Sequence, residues 1–333
     1  MSGAVLVVGG TGFIGSHVVE RLAASGSGVR VVSRSGRWEW GPMPSRVECT
    51  ALDLRDSSQL TRLQELVRES RTIINLAGTL FRPGVPENDY RELHVSGVRL
   101  LIAAVDAAPP NGRRRLVHVS TTGVLGPTGD DPVDEGSHPN PTTAYESTKL
   151  EGERAALAAH SDRLEVVVVR PGLVYGPRDL HLLGLYRAVD RGLFRPIAGG
   201  DARWQPIHVG DVARGIEDAA ERDSVDGEIF HVAGEETVSV ANLARRIAAV
   251  LGRRLHGPSL PYGLALAMGA ALELAARPFG FDPPLSRSRV RTMTENRLYR
   301  TERARHRLGF VPSTNLDQGL AETAKWYRHH GYL

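Results

Sequence analysis

Short apolar runs alternate with longer segments of helical periodicity along the first half of the chain. Residues 4–8 form the first run, and Val18, Val19, Leu22 and Ala23 make the apolar stripe of the helix that follows. Further strands are predicted at residues 29–33, 47–51, 72–76, 115–119 and 164–170. Strands that alternate with helices indicate an α/β fold in which a doubly wound parallel sheet is covered on both faces.

Polar residues between the strands mark the helices. Asp56 or Ser57 caps one helix, a second runs from about residue 89 to 107 and ends before Pro109, and a third carries Tyr145 and Lys149. Right-handed crossovers place the carboxyl ends of parallel strands on one rim of the sheet. We expect the functional residues on that rim.

The pattern loosens after Tyr175, where proline and glycine become frequent. We predict that residues 1–175 form the sheet domain, to which the chain returns at about 205–233. Residues 176–204 and 234–333 would form a smaller, mostly helical lobe that binds the substrate.

A glycine-rich turn joins the first strand to the first helix. Gly9, Gly12 and Gly15 are three residues apart, which departs from the strict G-x-G-x-x-G spacing. Glycine lets a backbone turn sharply and approach a pyrophosphate, and the helix amino terminus supplies amide donors. An ordinary tight turn is the alternative, but the strand, turn and helix context favours a dinucleotide site.

Tyr145 and Lys149 are four positions apart, so one helical turn brings the phenol and the ammonium to the same face. A nearby cation favours the phenolate, and we expect Lys149 to lower the pKa of Tyr145 toward neutrality. Such pairs also arise by chance on solvated helices. Lys149 and Lys325 are the two lysines of an arginine-rich chain, which favours a functional Lys149.

With these motifs the chain resembles the extended short-chain dehydrogenases/reductases, which include nucleotide-sugar epimerases, dihydroflavonol reductases and hydroxysteroid dehydrogenases. The resemblance covers nearly the whole chain and implies a Rossmann domain with a carboxyl-terminal substrate lobe. Further motifs that carry it are Asp53-Leu54, Asn75-Leu76-Ala77-Gly78, and the segments 119–126, 170–177, 207–213 and 308–312.

The resemblance implies a set of cofactor-binding residues in addition to Tyr145 and Lys149. Asp53 would contact the adenine edge, and Pro171 with Val174 would border the nicotinamide. The remaining members are Gly9, Thr11, Gly12, Phe13, Ile14 and Gly15 at the pyrophosphate, Leu54 beside Asp53, and Ala77, Gly78 and Thr79 beneath the ribose and phosphates.

The end of the second strand bears on the choice between NADP and NAD. An acidic residue there would bond the ribose hydroxyls of NAD, whereas an arginine suits the 2′-phosphate of NADP. Ser33 and Arg34 occupy this place, which favours NADP and leaves NAD as the alternative. Arg34 could also be a simple exposed loop cation.

The same resemblance implies hydride transfer between the nicotinamide and a secondary alcohol or ketone. Tyr145 would be the acid and base, Lys149 would hold the nicotinamide ribose, and Thr121 would hydrogen-bond the substrate oxygen. Ser120 and Thr122 compete with Thr121 for that role.

Departures from the family pattern bear on the substrate. His94 stands where many relatives have asparagine, as a hydrogen bonder or as a satisfied core histidine. Trp204 stands where nucleotide-sugar enzymes often have a diphosphate-binding arginine, next to Arg203, while Arg178 would face the substrate as in epimerases. Dehydratases have Asp-Glu where this chain has Thr122 and Gly123, which disfavours elimination of water. The candidate substrate residues are therefore Thr121, Thr122, His94, Arg178 and Trp204.

Composition excludes several other classes. The net charge is +3, but the basic residues are spread without an aromatic platform or a zinc pattern, so we expect neither nucleic acid nor metal. A single cysteine, Cys49, fits a reducing cytosol. The first apolar run does not form a secretory signal, and the stretch 260–276 falls short of the roughly 20 residues that span a bilayer. We expect a cytoplasmic protein whose 260–276 segment is a core or lid helix, with peripheral membrane contact left open.

Three functions remain on the sequence alone. The first is an oxidoreductase or epimerase of a nucleotide-sugar-like small molecule. The second is an NADP-dependent hydroxysteroid- or dihydroflavonol-type dehydrogenase, in which the segment from Leu260 forms an apolar lid. The third is a non-catalytic cofactor-binding subunit, which the presence of Thr121, Tyr145 and Lys149 disfavours. The resemblance also implies a homodimer through the helix at 89–107 and the helix of Tyr145.

Overall fold

The computed structural model describes residues 4–82, 84–109, 112–276, 283 and 285–333. Every strand predicted in the first 170 residues is present. The strands are β1 (Ala4–Val8), β2 (Val29–Ser33), β3 (Val47–Ala51), β4 (Ser70–Asn75), β5 (Arg114–Val119), β6 (Leu164–Pro171), β7 (Leu173–Tyr175), β8 (Arg203–Trp204), β9 (Pro206–His208), β10 (Ile229–Val232) and β11 (Val238–Ser239).

Seven of these strands form one sheet in the order β10-β6-β5-β4-β1-β2-β3. All neighbouring pairs in it are parallel. The chain leaves β1 toward β2 and β3 and then returns to β4 on the other side of β1, so the strand order reverses there. Such a reversal opens a crevice at the carboxyl ends of the strands, where doubly wound sheets bind their ligands. The predicted α/β Rossmann architecture is confirmed.

Helices cover both faces of the sheet. They are α1 (Phe13–Ala24), α2 (Leu60–Arg68), α3 (Glu87–Arg91), α4 (Gly97–Ala107), α5 (Ala144–Ala158), α6 (Leu183–Asp190), α7 (Val209–Glu221), α8 (Val240–Leu251), α9 (Tyr262–Ala276), α10 (Arg287–Thr292) and α11 (Leu316–His329). Val5 and Val7 of β1 belong to the core on the α1 and α7 side, whereas Leu6 and Val8 belong to the core on the α2 and α4 side. Because both faces are buried, β1 is apolar throughout instead of alternating.

The helix predicted at 89–107 is present but is not one regular α-helix. A π-helical segment, Glu92–Ser96, separates α3 from α4 and contains His94. Wider turns of this kind often lie at functional sites.

The carboxyl-terminal part of the chain contributes to two cores. Helices α6, α8 and α11 bury a separate apolar cluster that includes Tyr186, Leu243 and Leu320. Ala304 and Phe310, however, pack into the core of the central sheet. The packing therefore crosses the boundary that the sequence placed at residue 234.

Candidate active site

The glycine turn after β1 is shaped by close backbone contacts. Gly9 has a φ of +80°, and a Cβ there would lie 2.8 Å from the backbone nitrogen of Ala77. A Cβ on Gly15 would overlap the carbonyl oxygen of Gly9. Gly12 precedes α1, whose first turn has no side-chain cap. The turn thus presents uncapped amides at a helix amino terminus, which suits a pyrophosphate.

The other residues predicted at this turn lie around it. Phe13 and Ile14 are the first two residues of α1 and are half-buried. The carbonyl oxygen of Thr11 accepts a hydrogen bond from Nε1 of Trp40 at 2.8 Å. Trp40 comes from the segment after β2, so this segment is tied to the glycine turn.

Ser33 and Arg34 end β2 at the rim. Ser33 is buried and its Oγ accepts the backbone amide of Gly36 at 3.1 Å. Arg34 is exposed. Its positive charge lies close enough to lower the pKa of Asp53.

Asp53 follows β3, as predicted, but its carboxylate already has a partner. Nε of Arg55 lies 3.0 Å from Oδ1 and 3.1 Å from Oδ2, and Nη2 lies 2.5 Å from Oδ2. The hydrogen bond from Arg55 holds the pKa of Asp53 below its usual range. Leu54 is buried, so only its backbone can face a nucleotide.

Ala77, Gly78 and Thr79 follow β4 beside the glycine turn. The amide of Ala77 donates to Oδ1 of Asn75 at 3.1 Å, and the amide of Thr79 donates to Nε2 of His94 at 3.1 Å. A Cβ on Gly78 would lie 4.0 Å from Nζ of Lys149. The predicted ribose floor and the predicted catalytic lysine are therefore neighbours.

Thr121 and Tyr145 are brought together by different elements. Thr121 precedes a short 3₁₀ helix after β5, and Tyr145 is in the first turn of α5, which Thr143 and Glu146 cap reciprocally. Oγ1 of Thr121 accepts the amide of Gly123 at 3.1 Å, and its hydroxyl hydrogen-bonds the Tyr145 phenol.

The pKa of Tyr145 differs from the sequence-based expectation. Burial raises the pKa of the phenol to about 12, and the hydrogen bond from Thr121 opposes that shift without reversing it. The expectation that Lys149 would lower the pKa of Tyr145 toward neutrality is wrong. At neutral pH the phenol is protonated and can donate its proton.

Lys149 lies one turn further along α5 and is buried. Its Nζ donates to the carbonyl oxygen of Val119 at 2.7 Å, which anchors the side chain at the end of β5. Burial lowers the pKa of Lys149 to about 8, and the carboxylate of Glu153 partly opposes this. The ammonium therefore loses its proton within reach of neutral pH.

His94 is buried, and both of its ring nitrogens are used within the protein. Nδ1 lies 3.0 Å from Oγ1 of Thr148, and Nε2 accepts the amide of Thr79. Burial and the charge of Lys149 lower the pKa of His94 to about 3, so the ring is neutral. These two bonds connect the loop after β4 to α5, and the assignment of His94 to the substrate set stays a prediction.

Thr122, Trp204 and Arg178 do not present free polar groups to a substrate either. Thr122 is buried and its hydroxyl donates to the carbonyl oxygen of Pro171 at 3.2 Å. Nε1 of Trp204 donates to the carbonyl oxygen of Glu295 at 3.2 Å, and the ring is in the core of the carboxyl-terminal part.

Arg178 forms a fork with Glu20 of α1, at 2.6 and 3.0 Å, and its guanidinium lies 5.1 Å from the centre of the Trp40 ring. It therefore fastens the segment after β7 to the first helix. Pro171 and Val174 lie nearby in β6 and β7, where Val174 is half-buried against the core.

A polar cavity of about 380 Å³ lies in the carboxyl-terminal part of the molecule. It is lined by Asp130, Ile197, Ala198, Asp201, Ala202, Arg203, Thr294 and Asn296. Nη2 of Arg203 lies 3.0 Å from Oδ1 of Asp130. Arg297, the residue after Asn296, pairs with Glu146 at 2.9 Å, and Glu146 is next to Tyr145 in α5. The wall of the cavity is thus connected to the predicted catalytic helix.

Sequence reasoning missed three contributors to the site. Arg55 neutralises Asp53, and its position two residues away was a visible signal. The pairing of Arg297 with Glu146 joins residues 151 positions apart, which no local pattern indicates. Trp40 contacts the glycine turn from a segment without regular structure.

Comparison with known proteins places these features in a wider group. The family described as "NAD dependent epimerase/dehydratase family" matches residues 5–233. The sterol-4-alpha-carboxylate 3-dehydrogenase (decarboxylating) of Candida albicans is 25% identical, over 97% of this chain and 97% of its own length. An N-acetyl-alpha-D-glucosaminyl-diphospho-ditrans,octacis-undecaprenol 4-epimerase of Escherichia coli O157:H7 is 21% identical, over 98% of this chain and 96% of its own.

A solved structure, MoeE5 in complex with UDP-glucuronic acid and NAD, is similar over 98% of this chain and 100% of that one, with a TM-score of 0.76 and 27% identity. The similarity extends over both the central sheet and the carboxyl-terminal part.

Proposed function

Because this chain belongs to the NAD dependent epimerase/dehydratase family, we propose that Thr121, Tyr145 and Lys149 are the residues with which it moves hydride between a nicotinamide dinucleotide and a secondary alcohol or ketone. One observation carries the assignment. The Thr121 hydroxyl bonds the Tyr145 phenol at the rim where Lys149 lies beside Gly78 and the glycine turn opens. This arrangement supports an enzyme over a non-catalytic cofactor-binding subunit.

Tyr145, Thr121 and Lys149 have separate roles around the substrate oxygen. When bound, the nicotinamide supplies or accepts the hydride. In reduction the protonated phenol of Tyr145 gives its proton to the oxygen that becomes the hydroxyl, and in oxidation the phenolate takes that proton back. Thr121 holds the same oxygen by a hydrogen bond. Lys149, anchored on Val119, supplies a donor for the ribose and stabilises the phenolate when it forms.

We propose NADP as the cofactor, with NAD as the alternative. The glycine turn fits a pyrophosphate through uncapped amides and through positions that exclude a Cβ. Arg34 is exposed at the end of β2, and Arg55 neutralises the acidic Asp53 at the end of β3. A 2′-phosphate would therefore meet a local excess of positive charge.

The first candidate substrate is a nucleotide-sugar-like molecule. The cavity lined by Asp130, Arg203 and Asn296 is polar, as a polyhydroxylated ligand requires. MoeE5, whose fold extends over the whole chain, binds UDP-glucuronic acid. Elimination of water is disfavoured, since Thr122 and Gly123 stand where dehydratases have their acidic pair, and a Cβ at Gly123 would lie 3.2 Å from the Glu146 side chain.

A hydroxysteroid- or dihydroflavonol-type dehydrogenase is the second candidate, and one observation favours it. Arg178, Arg203 and Arg297 are the arginines near the site that could hold a diphosphate, and each is paired with a carboxylate. A diphosphate would have to displace one of these partners. A neutral alcohol or ketone would not, and the sterol dehydrogenase of Candida albicans is similar over nearly its full length.

A substrate panel separates the two candidates. Purified protein is supplied with NADP or NAD and with either UDP-sugars or steroid-like secondary alcohols, and both nicotinamide absorbance and sugar epimers are followed. Epimers without net reduction of the cofactor support the nucleotide-sugar function. Net reduction with the apolar alcohols alone supports the second. Absence of turnover with every member of both classes would contradict both.

We also propose a cytosolic homodimer. The support is the free, half-buried thiol of Cys49 for the compartment and the implied pairing of the 89–107 region with α5 for the dimer. Sedimentation equilibrium of the purified protein tests the assembly, and a monomer at micromolar concentration would contradict it.

A further inference from the structure

Helix α9 packs on the protein through its small residues. Ala265, Gly269 and Ala276 are its buried positions. A Cβ on Gly269 would come within 3.0 Å of the backbone of Ser286, so the helix approaches the neighbouring chain closely. On the side of α9 that faces the protein, Leu266 is the one large apolar residue in contact with the underlying cluster, and it is half-buried.

The opposite side of α9 exposes large apolar residues. Leu264, Met268 and Leu272 follow at intervals of four and form one stripe, with exposures of 52%, 41% and 37%. Leu274 is 68% exposed, and Tyr262 at the start of the helix is 42% exposed. A helix of a water-soluble protein normally has the reverse arrangement. The expectation of a core helix at 260–276 is wrong, because its large side chains point to the outside, and the alternative of a lid helix stays a prediction.

The exposed face carries no charge. Glu273 is the one ionisable residue between Tyr262 and Ala276 apart from the Tyr262 phenol, and it is turned toward α10. Its carboxylate accepts the Nε of Arg287 and the backbone amide of Arg287, both at 2.8 Å. Its charge is thus neutralised at the side of the apolar stripe.

The chain before α9 and the helix packed beside it carry an excess of positive charge. Residues 251–293 contain six arginines and two acidic residues, an excess of four, whereas the whole chain has a net charge of +3. Arg253 and Arg254 precede α9 and are exposed, and Arg253 pairs with Asp190 at 3.1 Å. Arg291 is exposed on α10, which packs beside α9. The chain has therefore concentrated its positive charge around an uncharged apolar helix.

We propose that this α9 surface, formed by Leu264, Met268, Leu272 and Leu274 with the flanking Arg254 and Arg291, binds the anionic phospholipid surface of a bilayer. The apolar stripe would enter the boundary between headgroups and acyl chains, and the arginines would contact the lipid phosphates. Tyr262 would lie at headgroup depth, where amphipathic aromatic rings are favoured. Among the residues that the structure describes, no helix is long and apolar enough to cross a membrane. The contact is therefore one in which α9 lies on the surface.

Charge argues against the other occupants of this surface. A second copy of the chain would bring its own excess of arginines against the first, and like charges repel across an apolar contact. A nucleic acid would pair with the arginines but not with the leucine and methionine side chains between them. An anionic bilayer presents phosphate groups to the arginines and acyl chains to the apolar side chains on one surface.

Vesicle flotation tests the proposal without any substrate. The purified full-length protein is mixed with phosphatidylcholine vesicles or with equal parts of phosphatidylcholine and phosphatidylglycerol. We expect flotation with the anionic vesicles that weakens as salt is added. A Leu264→Glu, Met268→Glu double variant should bind the anionic vesicles at least about tenfold more weakly, since two apolar anchors are replaced by anions.

Two further variants control the result. Val311→Glu changes an apolar residue of the same exposure as Met268 outside α9 and should float like the wild type. The double variant Arg254→Gln, Arg291→Gln alters no buried residue and should remove the preference for phosphatidylglycerol.

The proposal would be overturned if the wild-type protein floated with neither kind of vesicle, or if the double glutamate variant floated as well as the wild type. Self-association of the wild type that the glutamates abolish would also overturn it. Hydride transfer on a water-soluble substrate does not enter this assay, so the two proposals can fail separately.

Discussion

At the scale of single residues, the protonation state of Tyr145 governs the chemistry. The half-buried phenol has a pKa of about 12, so at neutral pH it is protonated, and burial makes it a weaker acid than an exposed tyrosine. Thr121 is the group that already opposes this shift. The proton that reduction needs is therefore present at neutral pH, whereas the phenolate that oxidation needs is scarce.

Tyr145→Phe removes the proton without removing the ring. We predict a loss of turnover by about a hundredfold or more, since a positioned acid contributes about that much, with cofactor affinity nearly unchanged. Turnover and cofactor binding are measured on the same preparation. Tyr332→Phe, far along the chain at the carboxyl terminus, is the matched control and should behave as the wild type. Full activity of Tyr145→Phe would remove the phenol from the mechanism.

Arg34 is the residue that we propose determines the preference for NADP over NAD. Replacement by aspartate removes the predicted phosphate partner and supplies an acceptor for ribose hydroxyls. We predict that Arg34→Asp weakens NADP binding at least about tenfold while NAD binding holds or improves, as measured by calorimetry. Arg37→Asp, an exposed arginine three residues later, is the control for a general charge effect. Unchanged NADP affinity in Arg34→Asp would contradict the assignment.

The catalytic roles of Thr121, Tyr145 and Lys149, which stay predictions, came from residue spacing and the family resemblance. Spacing and resemblance could not give the pKa of Tyr145, which depends on burial by distant segments. They could not show either that Thr122, Trp204 and Arg178, which we expect at the substrate, have hydrogen-bond partners within the protein. Their partners Pro171, Glu295 and Glu20 lie up to 158 positions away.

At the scale of elements, the glycine turn is the part with the least steric freedom. Gly15 lies in the first turn of α1, where alanine would normally favour a helix. A Cβ there would nevertheless overlap the carbonyl oxygen of Gly9. The turn must then move, and with it the predicted pyrophosphate site.

Gly15→Ala is predicted to destabilise the protein by about 1–3 kcal/mol, the usual cost of overpacking, and to weaken dinucleotide binding about tenfold or more. Gly28→Ala is the matched control, because no atom lies within 4 Å of a Cβ at that position. Urea unfolding and cofactor titration of both variants check the prediction. Equal cofactor affinity for the two variants would show that the glycine turn does not hold the dinucleotide.

Strands were predicted more closely than helices. β2 and β3 have the predicted bounds, although Arg30 interrupts the apolar run of β2 and Val47 is the one buried residue of β3. The π-helical segment around His94 was not predicted, because it is held by bonds from His94 to Thr79 and Thr148 in other elements. The orientation of α9 could not be predicted either, as a helix that is apolar on most sides gives no periodic signal.

At the scale of the whole molecule, buried histidines link stability to pH. Burial lowers the pKa of His17 to about 4 and the pKa values of His94 and His231 to about 3, and it holds the pKa of His118 well below its usual value. Between pH 4 and 6.5 these four side chains are neutral when folded and charged when unfolded. The unfolded chain therefore binds more protons, and stability falls as the pH is lowered.

Asp179 acts in the opposite direction. Burial raises the pKa of Asp179 to about 7, so between pH 4 and 7 it is protonated when folded and ionised when unfolded. With the four histidines, the net uptake on unfolding is about three protons. The free energy of unfolding should then fall by up to about 4 kcal/mol per pH unit between pH 6 and 4.

Urea unfolding at several pH values checks this slope. His94→Asn should lower the number of protons taken up on unfolding by about one, and the slope with it. His138→Asn, at an exposed position, should leave the slope unchanged. A free energy of unfolding that is constant from pH 6.5 to 4 would contradict the burial of these rings in neutral form.

The whole account depends on a dinucleotide that extends from the glycine turn to Tyr145. The most direct measurement is a crystal structure of the wild-type protein soaked with NADP or NAD. The account predicts the pyrophosphate at the amino terminus of α1 and the nicotinamide facing the Tyr145 phenol, with space for a carbinol between them. A dinucleotide bound elsewhere, or a nicotinamide turned away from Tyr145, would contradict it.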